Sequence, residues 1–508
     1  MRNLLVGRRG FTLVELMVSI AMVMVLIAGV YAVFDAATKT TGVGIAVGQF
    51  TRAVRSLEQV MHDDFSHAVS AGEMPCIVIY SEQVFAYADR KDMDSDKGGG
   101  PGTADLGGTG METPLIPAIY NTRSHRIDQL GFFVQNSDKP YVRQTGRPGS
   151  APLRLPPELL SQGSSREAWI WYGLLKLPDN GNAFADPGEF NANQNPNNYF
   201  ANDWCLGRVA MLLVPYIASP GNLGYIPFNR TVLLSPLGSD SRVAGGRFIG
   251  ESRFDVAETS IADFRSFIVE NIAANNLTPV DMRTAFDYRF NCKPQVRRSG
   301  NIAAMADEIA LTVPFLERGV TQFIVEFAGD FMEQEWDVAK RGNKSAVGGR
   351  ITAAQPDGEI DFLARTNSIT RQTTRQTVKE IRWYGMPRNV DLFDDAKGPV
   401  IRGTRPGART DANSMLDVVP VRDVYPEASD FEHFVDASGS NICGAQKTMN
   451  YAAAGAMPAG AKYVCTWTPQ MLASGRGPWM IRITMTITDP NGRLPEGQTV
   501  QYVFSLPH

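Results

Sequence analysis

One carboxylate, Glu15, stands near the start of an apolar run that extends from Phe11 to Phe34. A charge in apolar surroundings is costly unless it is paired. The chemistry Glu15 could do is therefore to hold a cation, and the sequence must supply one. A second set of carboxylates, Asp92, Asp94 and Asp96, alternates through Asp92-Met93-Asp94-Ser95-Asp96-Lys97-Gly98. Hard cations take such oxygens, and calcium is the ion this spacing suits. An EF-hand loop would carry its glycine one residue earlier and close on a glutamate. Lys97 and Thr103 stand at those places, so a solvated acidic loop is the plainer reading. The oxygen-rich stretch from Asp179 to Phe200 is unspecific in the same way.

Other chemistries have little to work with. The five histidines show no HExxH pattern, and His62 and His67, five apart, fall on different faces of a helix. No GxSxG is present. Arg341-Gly342-Asn343-Lys344-Ser345 lacks the glycine a phosphate loop needs directly before its lysine. Enzymatic activity is therefore not expected. Five cysteines show no CxxC spacing, which argues against zinc. In an oxidising compartment they could pair, with Cys443 and Cys465 the favoured local bridge, and the odd count leaves at least one thiol over. Trp169, Trp171 and Tyr172 in one strand suggest core on one face, with an exposed binding platform as the alternative.

The elements that position Glu15 come first in the chain. The 24 residues from Phe11 to Phe34 would span roughly 36 Å as a helix, against a bilayer core of about 30 Å. Arg2, Arg8 and Arg9 precede the run, so the positive-inside rule keeps the N-terminus cytoplasmic and sends the rest across the membrane. A secretory signal would have a shorter core and small residues beyond it. Here the glycine, Gly10, comes before the run.

Gly10-Phe11-Thr12-Leu13-Val14-Glu15 resembles the processing motif of type IV prepilins and type II secretion pseudopilins. The resemblance implies that a prepilin peptidase and N-methyltransferase cuts after Gly10 and methylates Phe11. It also implies that Glu15 neutralises the N-terminal amine of a neighbouring subunit in the filament core, which supplies the missing cation. The alternative is an uncleaved signal anchor with an accidental acidic residue. That reading must account separately for the basic leader, the glycine, the phenylalanine and the glutamate.

Past the membrane, Phe50, Val54, Leu57, Met61, Phe65 and Ala68 recur at steps of three and four, which predicts that the helix packs one stripe against a globular head. Gly42, Gly44 and Gly48 lie between the two halves and mark the expected place to bend or melt. After Pro75 the period changes. Strands are expected at 76–86, 131–135, 168–177, 209–217 and 320–327, and short helices after Thr259 or Ser260 and over 303–309. Trp479, Ile481, Ile483, Met485 and Ile487 alternate with polar residues, Asp489-Pro490-Asn491-Gly492 supplies a turn, and Val500, Tyr502, Phe504 and Leu506 resume the alternation. This predicts a hairpin with one buried face. Long loops rich in Gly, Pro, Asn and Asp separate the elements.

These pieces define an α+β chain: leader 1–10, transmembrane helix 11–34, an extracytoplasmic helical half 35–70, and a β-rich head 71–508 with insertions. Its formal charge of −4 becomes −7 once the three leader arginines are removed, which argues against nucleic acid as the main partner. The order resembles the J-type minor pseudopilin of type II secretion, and more loosely the W-type minor pilin. The segments that carry it are "VMHDDFSHAV", "GVTQFIVEFAGDFMEQEW" and "PWMIRITMTITDPNGRLPEGQTVQYVFSLP". The resemblance implies a single-pass inner-membrane protein with a periplasmic head, assembled with major and minor pseudopilins near a filament tip. A pilus or DNA-uptake minor pilin, or a binding protein on a pilin anchor, are the alternatives. Family members are generally less than half this length, so the long loops would be insertions.

Overall fold

The computed structural model describes residues 12–87, 122–142, 164–178, 184–188, 198, 200–213, 226–227, 256–274, 315–331, 336–337, 342–343, 357–367, 376–386, 390–391, 400–401, 418–419, 421, 431–435, 462–489 and 497–507. Helix α1 runs unbroken from Leu13 to Ser66, about 81 Å. It stays helical through Gly42, Gly44 and Gly48, so the chain does not melt at that cluster. Each glycine costs about 1 kcal/mol relative to alanine, but none lacks an N–H, and each residue added to a formed helix gains a hydrogen bond. The Thr40 and Thr51 hydroxyls donate to Ala36 O and Val47 O, at 2.9 Å each.

The predicted stripe is the face that packs. Leu57, Met61, Phe65 and Ala68 are buried, while Phe50 and Val54 pack half-buried against the same core. They meet two sheets. The first has ten strands and is mostly antiparallel. Its strands in chain order are β1 (Ile77–Tyr87), β2 (Thr122–Arg126), β3 (Gln129–Gln135), β4 (Glu167–Leu174), β5 (Cys205–Leu213), β6 (Ile226–Pro227) and β7 (Val256–Glu258). After helix α2 (Ile261–Ala273) come β8 (Phe315–Arg318) and, much later, β12 (Glu432–Val435) and β13 (Lys462–Trp467). The spatial order is β6-β7-β5-β4-β3-β1-β13-β12, with β8 on β5 and β2 on β1.

The second sheet has five strands. These are β9 (Val320–Gly329), β10 (Trp383–Tyr384), β11 (Val418–Val419), β14 (Pro478–Ile487) and β15 (Gln498–Ser505), in the order β11-β10-β9-β14-β15. β14 and β15 form the predicted hairpin, with Ile481 opposite Phe504 and Ile483 opposite Tyr502. Its Pro490-Asn491-Gly492 turn lies outside the described residues, as do residues 303–309.

The three aromatic residues of β4 are core. β4 lies between β3 and β5, and Trp169, Trp171 and Tyr172 are 1%, 1% and 0% exposed. They offer no platform, because both faces of the sheet are covered. On one face Phe65 of α1 stacks on Phe132, with centroids 4.8 Å apart. On the other, Phe264 of α2 lies 5.5 Å from Phe133. The Trp171 ring folds over Gly173, where a Cβ would stand 2.5 Å from it, and its Nε1 donates to Gln129 Oε1 at 3.0 Å. Ser260 caps α2, and the Glu167 carboxylate accepts from Ile261 N at 2.7 Å.

The two sheets are pinned where β2 turns into β3. Asp128 N donates to Phe323 O, and the Asp128 carboxylate accepts from Arg126 Nε and Nη2 and from Val325 N. Burial pushes the Asp128 carboxyl up and the Arg126 charge pulls it back, leaving it above the ordinary range.

The joint of α1 to the head is ionic as well as apolar. Asp64 faces the first sheet, only 1% exposed, and accepts from Arg208 Nε at 2.7 Å and Nη2 at 2.6 Å. Tyr172 Oη also donates to it. Burial opposes charge on Arg208, but the Asp64 hydrogen bonds outweigh it and hold the guanidinium charged. Removing one member of such a pair strands the other. Asp64→Ala should cost about 3–5 kcal/mol, read as a lower urea midpoint for the detergent-solubilised chain. Asp64→Leu with Arg208→Met should recover most of the loss, and a double variant as damaged as the single would refute this account.

Candidate functional site

The first turn of α1 carries the chemistry singled out in the sequence. Thr12 has extended backbone and is the N-cap; its Oγ1 accepts from Glu15 N at 3.2 Å. Glu15, at the third helical position, reaches back so that its Oε2 accepts from both Thr12 N and Thr12 Oγ1, at 3.0 Å each. This is a capping box: the first orphan donors of the helix and one carboxylate oxygen satisfy one another. Among the described residues Oε1 accepts no hydrogen bond. An ionised carboxylate has about four acceptor positions, so among the described residues one oxygen is held and the other can still accept.

The helix itself takes up the one serine of the apolar run. Ser19 Oγ donates to Glu15 O at 2.7 Å, so the serine hydroxyl is not left bare in this apolar stretch. Large apolar side chains from Leu13 to Phe34 are exposed throughout, for example Val25 at 74% and Ile27 at 60%. An exposed apolar surface of this extent needs lipid or protein around it. By length and composition the helix is apolar enough to cross a membrane.

Of the residues predicted from sequence, Glu15 lies in the first turn of α1. Gly10 and Phe11 lie outside the described residues, and so do Asp92, Asp94, Asp96 and Cys443. The calcium expectation and the Cys443–Cys465 pairing therefore have no structural counterpart. Cys465 is buried in β13, its Sγ 3.0 Å from Tyr463 Oη. Among the described residues, no three His, Cys, Asp or Glu side chains are grouped to hold a metal. His62 is exposed on α1, and His67 Nδ1 lies 2.7 Å from Asp63 O. Sequence reasoning missed the part played by Thr12. The signal was present in Thr12-Leu13-Val14-Glu15, the Thr-x-x-Glu spacing of a capping box, directly before an apolar run.

Residues 6–31 match the family described as the prokaryotic N-terminal methylation motif. No curated protein and no solved structure matches the chain. What the match supports is the type IV pilin-like and pseudopilin class, through a prepilin-type N-terminus on a long apolar helix. The apolar helix and the motif together point to a membrane anchor carrying a globular head. The motif implies processing by a prepilin peptidase and assembly with other pilin-like chains.

The capping box yields a direct test. Thr12→Val removes the Oγ1 acceptor, leaving Glu15 N–H without a partner at a helix end. Losing such a cap typically costs about 1 kcal/mol, so amide exchange at Glu15 should quicken about fivefold in lipid. Thr12→Ser should exchange at the wild-type rate. Equal protection in all three proteins would show that the cap does not order this turn.

Proposed function

We propose that the chain is a J-like minor pseudopilin of a type II secretion system, an assembly subunit whose helix joins a filament core and whose head sits near the tip. The reading rests first on the methylation motif and on the placement of Glu15 at the start of an unbroken helix. The three segments that resemble the J-type subunit also come together in space. The end of α1 lies on the hairpin, with Phe65 stacked on Phe504 at 4.3 Å, and β9 pairs with β14 along its whole length. They form one helix on a three-stranded antiparallel unit, to which the ten-stranded sheet is added.

In this reading a prepilin peptidase in the inner membrane cuts after Gly10, and the head stands in the periplasm. Cleavage hydrolyses the Gly10–Phe11 amide and leaves an ammonium on Phe11, the cation that Glu15 calls for. Thr12 already occupies Oε2. The open Oε1 then accepts from the ammonium of a neighbouring subunit, and both charges are satisfied in a dry core.

Mass spectrometry of the native protein should find a methylated N-terminus at Phe11, and Gly10→Val should leave the leader in place. Glu15→Ala should keep its membrane level and its processing, yet be lost from assembled filaments by about tenfold or more. Recovery of only the unprocessed chain from cells with an active peptidase would end the pilin-like reading. Full incorporation of Glu15→Ala would remove the carboxylate from assembly.

A further inference from the structure

Among the described residues β15 is the outer strand of the five-stranded sheet, paired with β14 on one side only. Its register shows which backbone groups face outward. Leu506 N donates to Trp479 O at 2.8 Å, one step beyond the pair Met480 and Ser505. In an antiparallel ladder the hydrogen-bonded pairs alternate, so the even-numbered residues bond to β14. The odd-numbered ones, Thr499, Gln501, Val503 and Ser505, turn N–H and C=O to the free edge. The same parity appears at Pro507, whose carbonyl accepts from Ala71 N at 3.1 Å. Short of that contact, the edge backbone groups of these four residues have no partner among the described residues.

Exposed edges are normally blunted by charge, proline, a bulge or brevity. Gln498-Thr499-Val500-Gln501-Tyr502-Val503-Phe504-Ser505 has none of these protections. Its register to β14 is continuous, and its eight residues make it the longest edge strand among the described residues. Val503, pointing away from the core beside Arg482, is 44% exposed.

The geometry excludes a symmetric pairing of β15 with the β15 of a second copy. Tyr502 Oη donates to Val54 O, Phe504 stacks on Phe65, and Pro507 meets Ala71. Contacts advance together along both elements, so α1 and β15 run in the same sense. Pairing β15 with itself about a two-fold axis would point the two membrane helices in opposite directions. Two chains anchored in one membrane cannot meet that way.

We propose that β15 is a strand-addition site that takes an extended segment from a different, neighbouring subunit, an inference that rests on the assembly reading above. The occupant is specified by the pleat. On the side lying over α1, where Phe50 and Val54 remain half-buried, it presents apolar side chains at alternate positions. On the other side, beside Thr499 and Gln501, it presents uncharged polar ones.

The test uses the full-length chain in its native membrane. Gln501→Pro removes one outward N–H and sets a ring against the incoming strand, while the bonds of Val500 and Tyr502 to β14 remain. Retention of neighbouring subunits on purification should fall about tenfold with the melting temperature unchanged. A photo-cross-linker at Val503 should give adducts to an extended segment of another pilin-like chain. If Gln501→Pro unfolds the head, Gln501→Lys, which keeps the backbone and charges the edge, takes its place and should weaken retention. Wild-type retention in a folded edge variant, or adducts only between identical chains, overturns the proposal. Glu15→Ala in the same assay separates the two readings. Loss with Glu15→Ala but not with the edge variants sinks the edge alone, and retention in all of them sinks assembly as well.

Discussion

A helix half in lipid and half on a protein surface must change partners along its length without breaking its own ladder, and the rest of this structure follows from that requirement. In the first half α1 presents apolar side chains all round, and Ser19 returns its hydroxyl to the backbone. In the second it narrows to one stripe. The change is completed at Asp64, a carboxylate on the apolar side of the helix that is buried only because Arg208 and Tyr172 meet it from two neighbouring strands. That pair fixes the rotation of α1 about its axis, which apolar contact alone would leave looser. Phe65, sandwiched between Phe132 and Phe504, then ties the helix to both sheets at one residue.

Much of this was legible from the chain because period carries the information. Steps of three and four gave the packed face of α1, and alternation gave the C-terminal hairpin nearly to the residue. One long helix was legible from the period and the lack of proline, but not that it would hold its ladder at the glycine cluster. Glycine content speaks of local cost, whereas persistence depends on a ladder that no proline interrupts. The placement of Trp169, Trp171 and Tyr172 was hidden for a similar reason. A strand with large side chains on both faces is either central or displayed, and only the cover supplied by α1, α2 and the second sheet decides between them. Nothing local marks Asp64 as a buried group, since its partner Arg208 is far away in sequence. At the N-terminus, Glu15 stood out by its charge, while Thr12 passed unnoticed because its role depends on backbone geometry at the helix start.

The ten-stranded sheet is assembled from segments far apart in sequence. β13, which lies beside β1, arrives hundreds of residues later, and β12 beside it closes the far edge. The helix-and-hairpin unit likewise needs both ends of the chain, since α1 opens it and β15 closes it. Neither layer can be completed until the C-terminal strands are available. Contacts of such long sequence separation form slowly, so the α1 stripe and the apolar faces of the early strands need cover in the meantime.

The uninterrupted passage of α1 through Gly42, Gly44 and Gly48 has a mechanical meaning. An unbroken rod of about 81 Å transmits axial displacement of its base to its far end almost without loss. A Cβ added at Gly44 or Gly48 would meet nothing within 4 Å. These positions are thus free of packing against the described parts of the head, and they leave the rod slimmest between its two supports. α1 thus resists compression along its hydrogen-bonded ladder and yields most in bending where Gly44 and Gly48 leave its surface bare.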